Sequence, residues 1–168
     1  RDVSAWVARI AEADPEARVV LHGVSMGAAT ALLAAGRSDM PGSLAAVIED
    51  SGYTSAEDMF TRKMEGFNLP AHLIMRGVNY MSRERTGVAL SDASAIEAVR
   101  HTKVPTLFIH GTSDLLVPYG MMQELKNASN APVKEELTVD GAWHAATKAK
   151  EPQKYYHRVF EFDDRWTS

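Results

Sequence analysis

Gly23-Val24-Ser25-Met26-Gly27 sets a serine between two glycines, and a serine hydroxyl held clear of its own backbone can attack an acyl carbon. The five residues join two recognisable elements. Arg18-Val19-Val20-Leu21-His22 reads as a buried strand, and Ala28-Ala29-Thr30-Ala31-Leu32-Leu33-Ala34-Ala35 as a helix that stops at Gly36. G-x-S-x-G between a strand and a helix is the pattern of a nucleophile elbow, a sharp turn that exposes the serine Oγ. Both glycines are expected to relieve crowding, because side chains two positions either side of the serine would collide as the chain reverses. The five-residue pattern is short, and its flanks carry the argument. Without them Ser25 reads as an ordinary turn serine.

Such a serine needs a base to take its proton and an acid to orient that base. A second buried-strand run, Val104-Pro105-Thr106-Leu107-Phe108-Ile109-His110-Gly111, leads into Thr112-Ser113-Asp114-Leu115-Leu116-Val117-Pro118. Residues 133–139 alternate as a strand and are followed by Asp140-Gly141-Ala142-Trp143-His144-Ala145. Asp114 and His144 are therefore the candidate acid and base. Asp114 also suits a structural role, capping a helix that starts near Val117. His144 competes with His22, His72, His101, His110 and His157, but it alone follows the last strand in a short glycine-containing loop. His22 and His110 each end a strand beside a glycine and suit packing near the site. A metal held by His110, Asp114 and His144 is conceivable, although no H-x-x-x-H or similar ligand spacing supports it.

The order serine, aspartate, histidine is that of the α/β-hydrolases and differs from those of chymotrypsin and subtilisin. With GVSMG, HGTSDLLVP and DGAWHA in that order, nearly the whole chain resembles the C-terminal half of an α/β-hydrolase. The group it resembles is the broad one of esterases, serine aminopeptidases and acyltransferase-like enzymes. The resemblance implies that Ser25 attacks an acyl carbonyl, His144 shuttles the proton, Asp114 holds the imidazole, and the Met26 N–H serves an oxyanion hole. It implies a small-molecule ester or acyl substrate and no cofactor or metal. Some relatives carry their acid after the strand that here ends near Glu49, which makes Asp50 the rival to Asp114. Peptidase and acyltransferase are alternatives that use the same triad. From a different class, a catalytically silent fragment would act as an association module.

The implied fold is α/β: a partial α/β-hydrolase of about four mainly parallel strands with flanking helices and a small helical cap. Residues 1–168 form one domain in this reading, with the cap at about 52–103. Family members carry eight strands, and the elbow strand is an interior one. The expected partner of this chain is therefore a missing N-terminal half, or a second copy paired through the exposed sheet edge.

Composition narrows the classes. A net charge of −4 provides no basic footprint for nucleic acid, and no run approaches the roughly 18 apolar residues of a membrane span. The absence of cysteine excludes disulfides and cysteine catalysis and leaves the compartment undetermined. Within the cap, Met59, Phe60, Met64 and Phe67 recur at helical steps, and Leu73, Ile74, Val78 and Met81 continue the pattern after Pro70. Those apolar faces suit both packing on the sheet and lining an acyl pocket. Ser91-Asp92-Ala93-Ser94 reads as a turn and N-cap, and residues 147–163 as one final helix.

Overall fold

Strands form where the aliphatic and β-branched runs predict them, in a computed structural model that describes residues 2–168. They are β1 (Val19–Val24), β2 (Leu44–Asp50), β3 (Thr106–Gly111) and β4 (Lys134–Val139), paired in parallel in that order. Parallel neighbours require crossovers. Helix α1 (Asp2–Ala13) precedes β1, and α2 (Met26–Ala35) joins β1 to β2. Helices α3 (Ala56–Glu65), α4 (Ala71–Thr86) and α5 (Ala95–Ala98) lie between β2 and β3, and α6 (Tyr119–Ala128) between β3 and β4. Helices α7 (Thr147–Lys150) and α8 (Pro152–Thr167) close the chain.

Alternation along the inner strands divides the core between two faces. Val47 and Phe108 pack with Leu32 of α2, Val99, and Met122 and Leu125 of α6. Ala46, Ile48, Leu107 and Ile109 turn the other way, against Tyr155, Val159 and Phe162 of α8. Each large side chain so buried is worth about 1.5–3 kcal/mol, so β2 and β3 are anchored from both sides. Among the described strands, β1 and β4 are the edges.

Three local readings are revised. The final helix is two helices, because Glu151 is non-helical (φ −131°, ψ 68°) ahead of Pro152, as the residue before proline usually is. A Cβ on Gly23 would fall on the Gly27 carbonyl, whereas a Cβ on Gly27 meets nothing within 4 Å. Gly23 alone is therefore required by the elbow's packing; at Gly27 the free side of the residue faces open space. In the cap, α3 buries no residue and α4 buries only Ala71 and Met75. Phe67, Leu73 and Met81 stand in the open, so the packing role falls to few of the apolar groups. The predicted N-cap at Ser94 is present, its side chain accepting from the Glu97 N–H.

Candidate active site

The C-terminal ends of parallel strands are where α/β sheets place ligands, and here those ends carry every residue of the site. Ser25 follows β1 as the residue preceding α2, where serine normally caps a helix by accepting from a backbone N–H. Here it makes no such bond. Its backbone is held at φ 55°, ψ −115°, and its Oγ lies 2.8 Å from His144 Nε2. The lost cap and the strain together cost about 2–4 kcal/mol. Two backbone bonds offset part of this: Ser25 N–H donates to the Asp50 carbonyl (2.8 Å), and Ala29 N–H to the Ser25 carbonyl (3.1 Å).

Of the four non-glycine residues with positive φ among the described residues, three (Ser25, Ser51 and Ala145) cluster at this end of the sheet. Two of them are coupled directly, the Ala145 N–H donating to Ser51 Oγ at 3.4 Å. Strained backbone persists where surrounding contacts over-determine it.

The two carboxylate oxygens of Asp114 have different partners. Oδ1 accepts the N–H groups of Leu116 (2.9 Å) and Val117 (2.8 Å), shaping the turn into α6. Oδ2 lies 2.7 Å from His144 Nδ1. Burial works against the Asp114 charge, but donors from His110, Val117 and His144 outweigh it and hold the carboxyl below its usual range. The two loops are stapled together: Ser113 N–H donates to the Ala142 carbonyl (3.0 Å), and Thr112 Oγ1 to Asp140 Oδ1 (2.8 Å). Gly111 permits that approach, since a Cβ there would run into Ala142.

Met26 is the first residue of α2, so its N–H has no intrahelical acceptor and sits at the positive end of the helix dipole. The rival acid is engaged elsewhere. Asp50 is buried, and its carboxylate accepts from Ser51 Oγ (2.8 Å), Thr147 Oγ1 (3.1 Å) and Tyr155 OH (3.0 Å). No group of three or more potential ligands among the described residues is arranged to hold a metal. His110 and His144 instead both turn a ring nitrogen toward Asp114, at 3.3 Å and 2.7 Å.

The signature of the prolyl oligopeptidase family matches residues 2–168. The chain belongs to that family. Among solved structures this family member is similar to the Pyrococcus furiosus esterase Pf2001, with a TM-score of 0.72 and 24% identity, over 99% of this chain and 62% of that one. It is also similar to the Pyrococcus horikoshii acylaminoacyl peptidase (TM-score 0.68, 14% identity), over 96% of this chain and 26% of that one. The Paleococcus ferrophilus monoacylglycerol lipase matches with a TM-score of 0.62 and 19% identity, over 94% of this chain and 72% of that one. The Bacillus subtilis protein YqkD is 26% identical over 144 residues, which are 86% of this chain and 47% of YqkD. The chain thus spans about half the length of that curated relative and about three-fifths of the esterase. The likenesses show the α/β-hydrolase fold.

Sequence reasoning did not single out Glu49, Ser51, Thr147 or Tyr155. A signal was present: two adjacent carboxylates, Glu49 and Asp50, end a strand that is otherwise apolar and, but for the half-buried Ala45, inside. Buried carboxylates are rare without partners, and beside the neighbouring Ser51 hydroxyl and Gly52 N–H those partners include Thr147 of α7 and Tyr155 of α8, far away in the chain.

Proposed function

We propose that this family member is a serine hydrolase that cleaves carboxylic esters through an acyl-enzyme on Ser25. The observation that carries the reading is the line of contacts Ser25 Oγ–His144 Nε2 (2.8 Å) and His144 Nδ1–Asp114 Oδ2 (2.7 Å). Ser25 Oγ attacks the acyl carbonyl carbon while its proton passes to His144 Nε2. The tetrahedral oxyanion is met by the Met26 N–H, and one such donor is worth about 2.7–4 kcal/mol. Collapse breaks the acyl–oxygen bond, and His144 returns the proton to the departing alkoxide. Water then attacks the acyl-enzyme by the same steps.

An ester with an apolar acyl or alcohol portion fits the rim. Met26, Leu115 and Trp143, each next to a triad residue, are 71%, 88% and 72% exposed. The family match and the likeness to an acylaminoacyl peptidase favour a second reading, in which the same acyl-enzyme forms from a peptide.

The test is fluorophosphonate labelling of the full-length protein that carries these residues, read by intact mass with Ser25→Ala alongside. One adduct that disappears in the variant is expected. An adduct that survives Ser25→Ala, or no adduct at all, overturns the reading. Parallel turnover of p-nitrophenyl esters and peptide anilides then separates esterase from peptidase.

A further inference from the structure

Behind Asp114 lie two ionisable side chains that the proposed mechanism does not use. Glu49 on β2 and His110 on β3 are fully buried. Glu49 is in register with Phe108, two residues before His110, so alternation puts all three side chains on one face of the sheet. The carboxyl has been given room. Its Oε1 accepts the Gly52 N–H at 2.5 Å, and any Cβ on residue 52 would press against that same oxygen.

Each group has one satisfied and one unsatisfied atom. His110 Nε2 donates to the Val117 carbonyl (2.9 Å) and stands 3.3 Å from Asp114 Oδ2. His110 Nδ1 and Glu49 Oε2 are buried without a hydrogen-bond partner. Orphaned buried polar atoms are uncommon enough to require an explanation. Here both orphans lie on the same sheet face, one on each of two adjacent strands.

We propose that Glu49 and His110 share one proton across an internal water, and that this pair is a positioning device for Asp114. In one form Glu49 is a carboxylate and His110 an imidazolium. In the other the Nδ1 proton has moved through the water to Glu49 Oε2, leaving both neutral. The pair carries the same number of protons either way, and Nε2–H stays directed at the Val117 carbonyl beside Asp114. A bridging water satisfies both orphans at once.

Electrostatics supports the pairing. Burial pushes Glu49 up to about 7, against the pull of His110 and the Gly52 N–H. Burial alone would lower His110, but Asp114, the Val117 carbonyl and Glu49 together raise it. The other titratable groups around the pair are Asp50, which acts on Glu49, Tyr119 of α6, whose ring meets His110 edge-on at 6.1 Å, and His144 beyond Asp114. His110 and His144 face the same Asp114 oxygen, at 3.3 Å and 2.7 Å, so the charge of the Glu49–His110 pair bears on the acid limb of the proposed reaction. The pair also supplies a further positive contact that keeps Asp114 ionised and in place.

This inference rests on the Ser25 hydrolase reading for its kinetic effect but not for its titration. The experiment is a histidine ¹⁵N NMR titration of the full-length protein, with the pH profile of kcat/KM measured in parallel. The variants are Glu49→Gln, His110→Gln and the double variant. In the unsubstituted protein the His110 ring should retain its second proton above the pH of a free imidazole, and in Glu49→Gln it should lose that proton at lower pH. The acid limb of kcat/KM should move up by about one unit in each single variant, a tenfold loss on that limb. The double variant should show no more. Additive shifts, or a His110 titration that Glu49→Gln leaves in place, overturn the proposal. A purely structural role would lower stability without moving either titration. Should His110→Gln fail to fold, the Glu49→Gln titration decides alone. Should Ser25 fail to label, the hydrolase reading falls while the NMR titration still judges the pair.

Discussion

Replacing Asp114 with Asn separates orientation from folding. Oδ1 accepts two backbone N–H groups, from Leu116 and Val117 at 2.9 and 2.8 Å, while Oδ2 faces His144 Nδ1 at 2.7 Å. An asparagine has one acceptor oxygen, and the two fixed backbone donors claim it. Its NH₂ must then face His144, which accepts only by placing a lone pair on Nδ1. The imidazole proton moves to Nε2 and points at Ser25 Oγ, so the ring no longer takes the serine proton. A wrong tautomer in a triad costs about 10⁴-fold, which is about 5.4 kcal/mol of barrier. The turn into α6 keeps both its bonds, so the stability loss should stay near the 1–3 kcal/mol of one rearranged buried hydrogen bond. The assay is the second-order rate of fluorophosphonate labelling, with thermal unfolding of the same sample. Labelling within tenfold of the unsubstituted rate, in a folded protein, would refute the reasoning.

Asp50→Asn tests the rival acid: it should cost about 1–3 kcal/mol of stability through its Ser51, Thr147 and Tyr155 donors yet leave labelling within about tenfold. A loss as large as that of Asp114→Asn would reverse the assignment. The two elbow glycines should respond oppositely in denaturant titrations. Gly23→Ala should lose about 3 kcal/mol or more, because the new methyl meets backbone. Gly27→Ala should be neutral or gain up to about 1 kcal/mol, because its Cβ meets nothing and alanine favours helix. Glu49 predicts the pH dependence of stability. Its folded value is raised from 4.5 to about 7, so the folded state binds the extra proton. That contribution is present at low pH and lost as pH rises through this window. The unfolding temperature of Glu49→Gln relative to the unsubstituted protein should therefore rise between those pH values, and a constant difference would contradict the burial argument.

Much of the frame is local in origin and was legible from the chain. Short apolar runs such as residues 106–110 commit to buried strands, and the alanine-rich run after Met26 commits to helix, because each pattern has one conformation that hides it. The order of the three motifs, with parallel strands between them, places Ser25, Asp114 and His144 at one end of a sheet. What the chain did not disclose depends on approach between distant segments. Whether Gly23 or Gly27 is sterically required depends on where the Gly27 carbonyl falls, and only the folded elbow puts it on the Gly23 side. As sequence, Asp114 is the candidate acid and Asp50 its rival, each placed at the end of a strand run. Only the tertiary structure gives them different surroundings: Asp50 accepts from the hydroxyls of Ser51, Thr147 and Tyr155, and Asp114 Oδ2 faces the imidazole. Glu49 and His110 are 61 positions apart, and nothing in local spacing pairs them. Their meeting is a consequence of strand register, which is set by the packing of two faces at once and has no short-range signature.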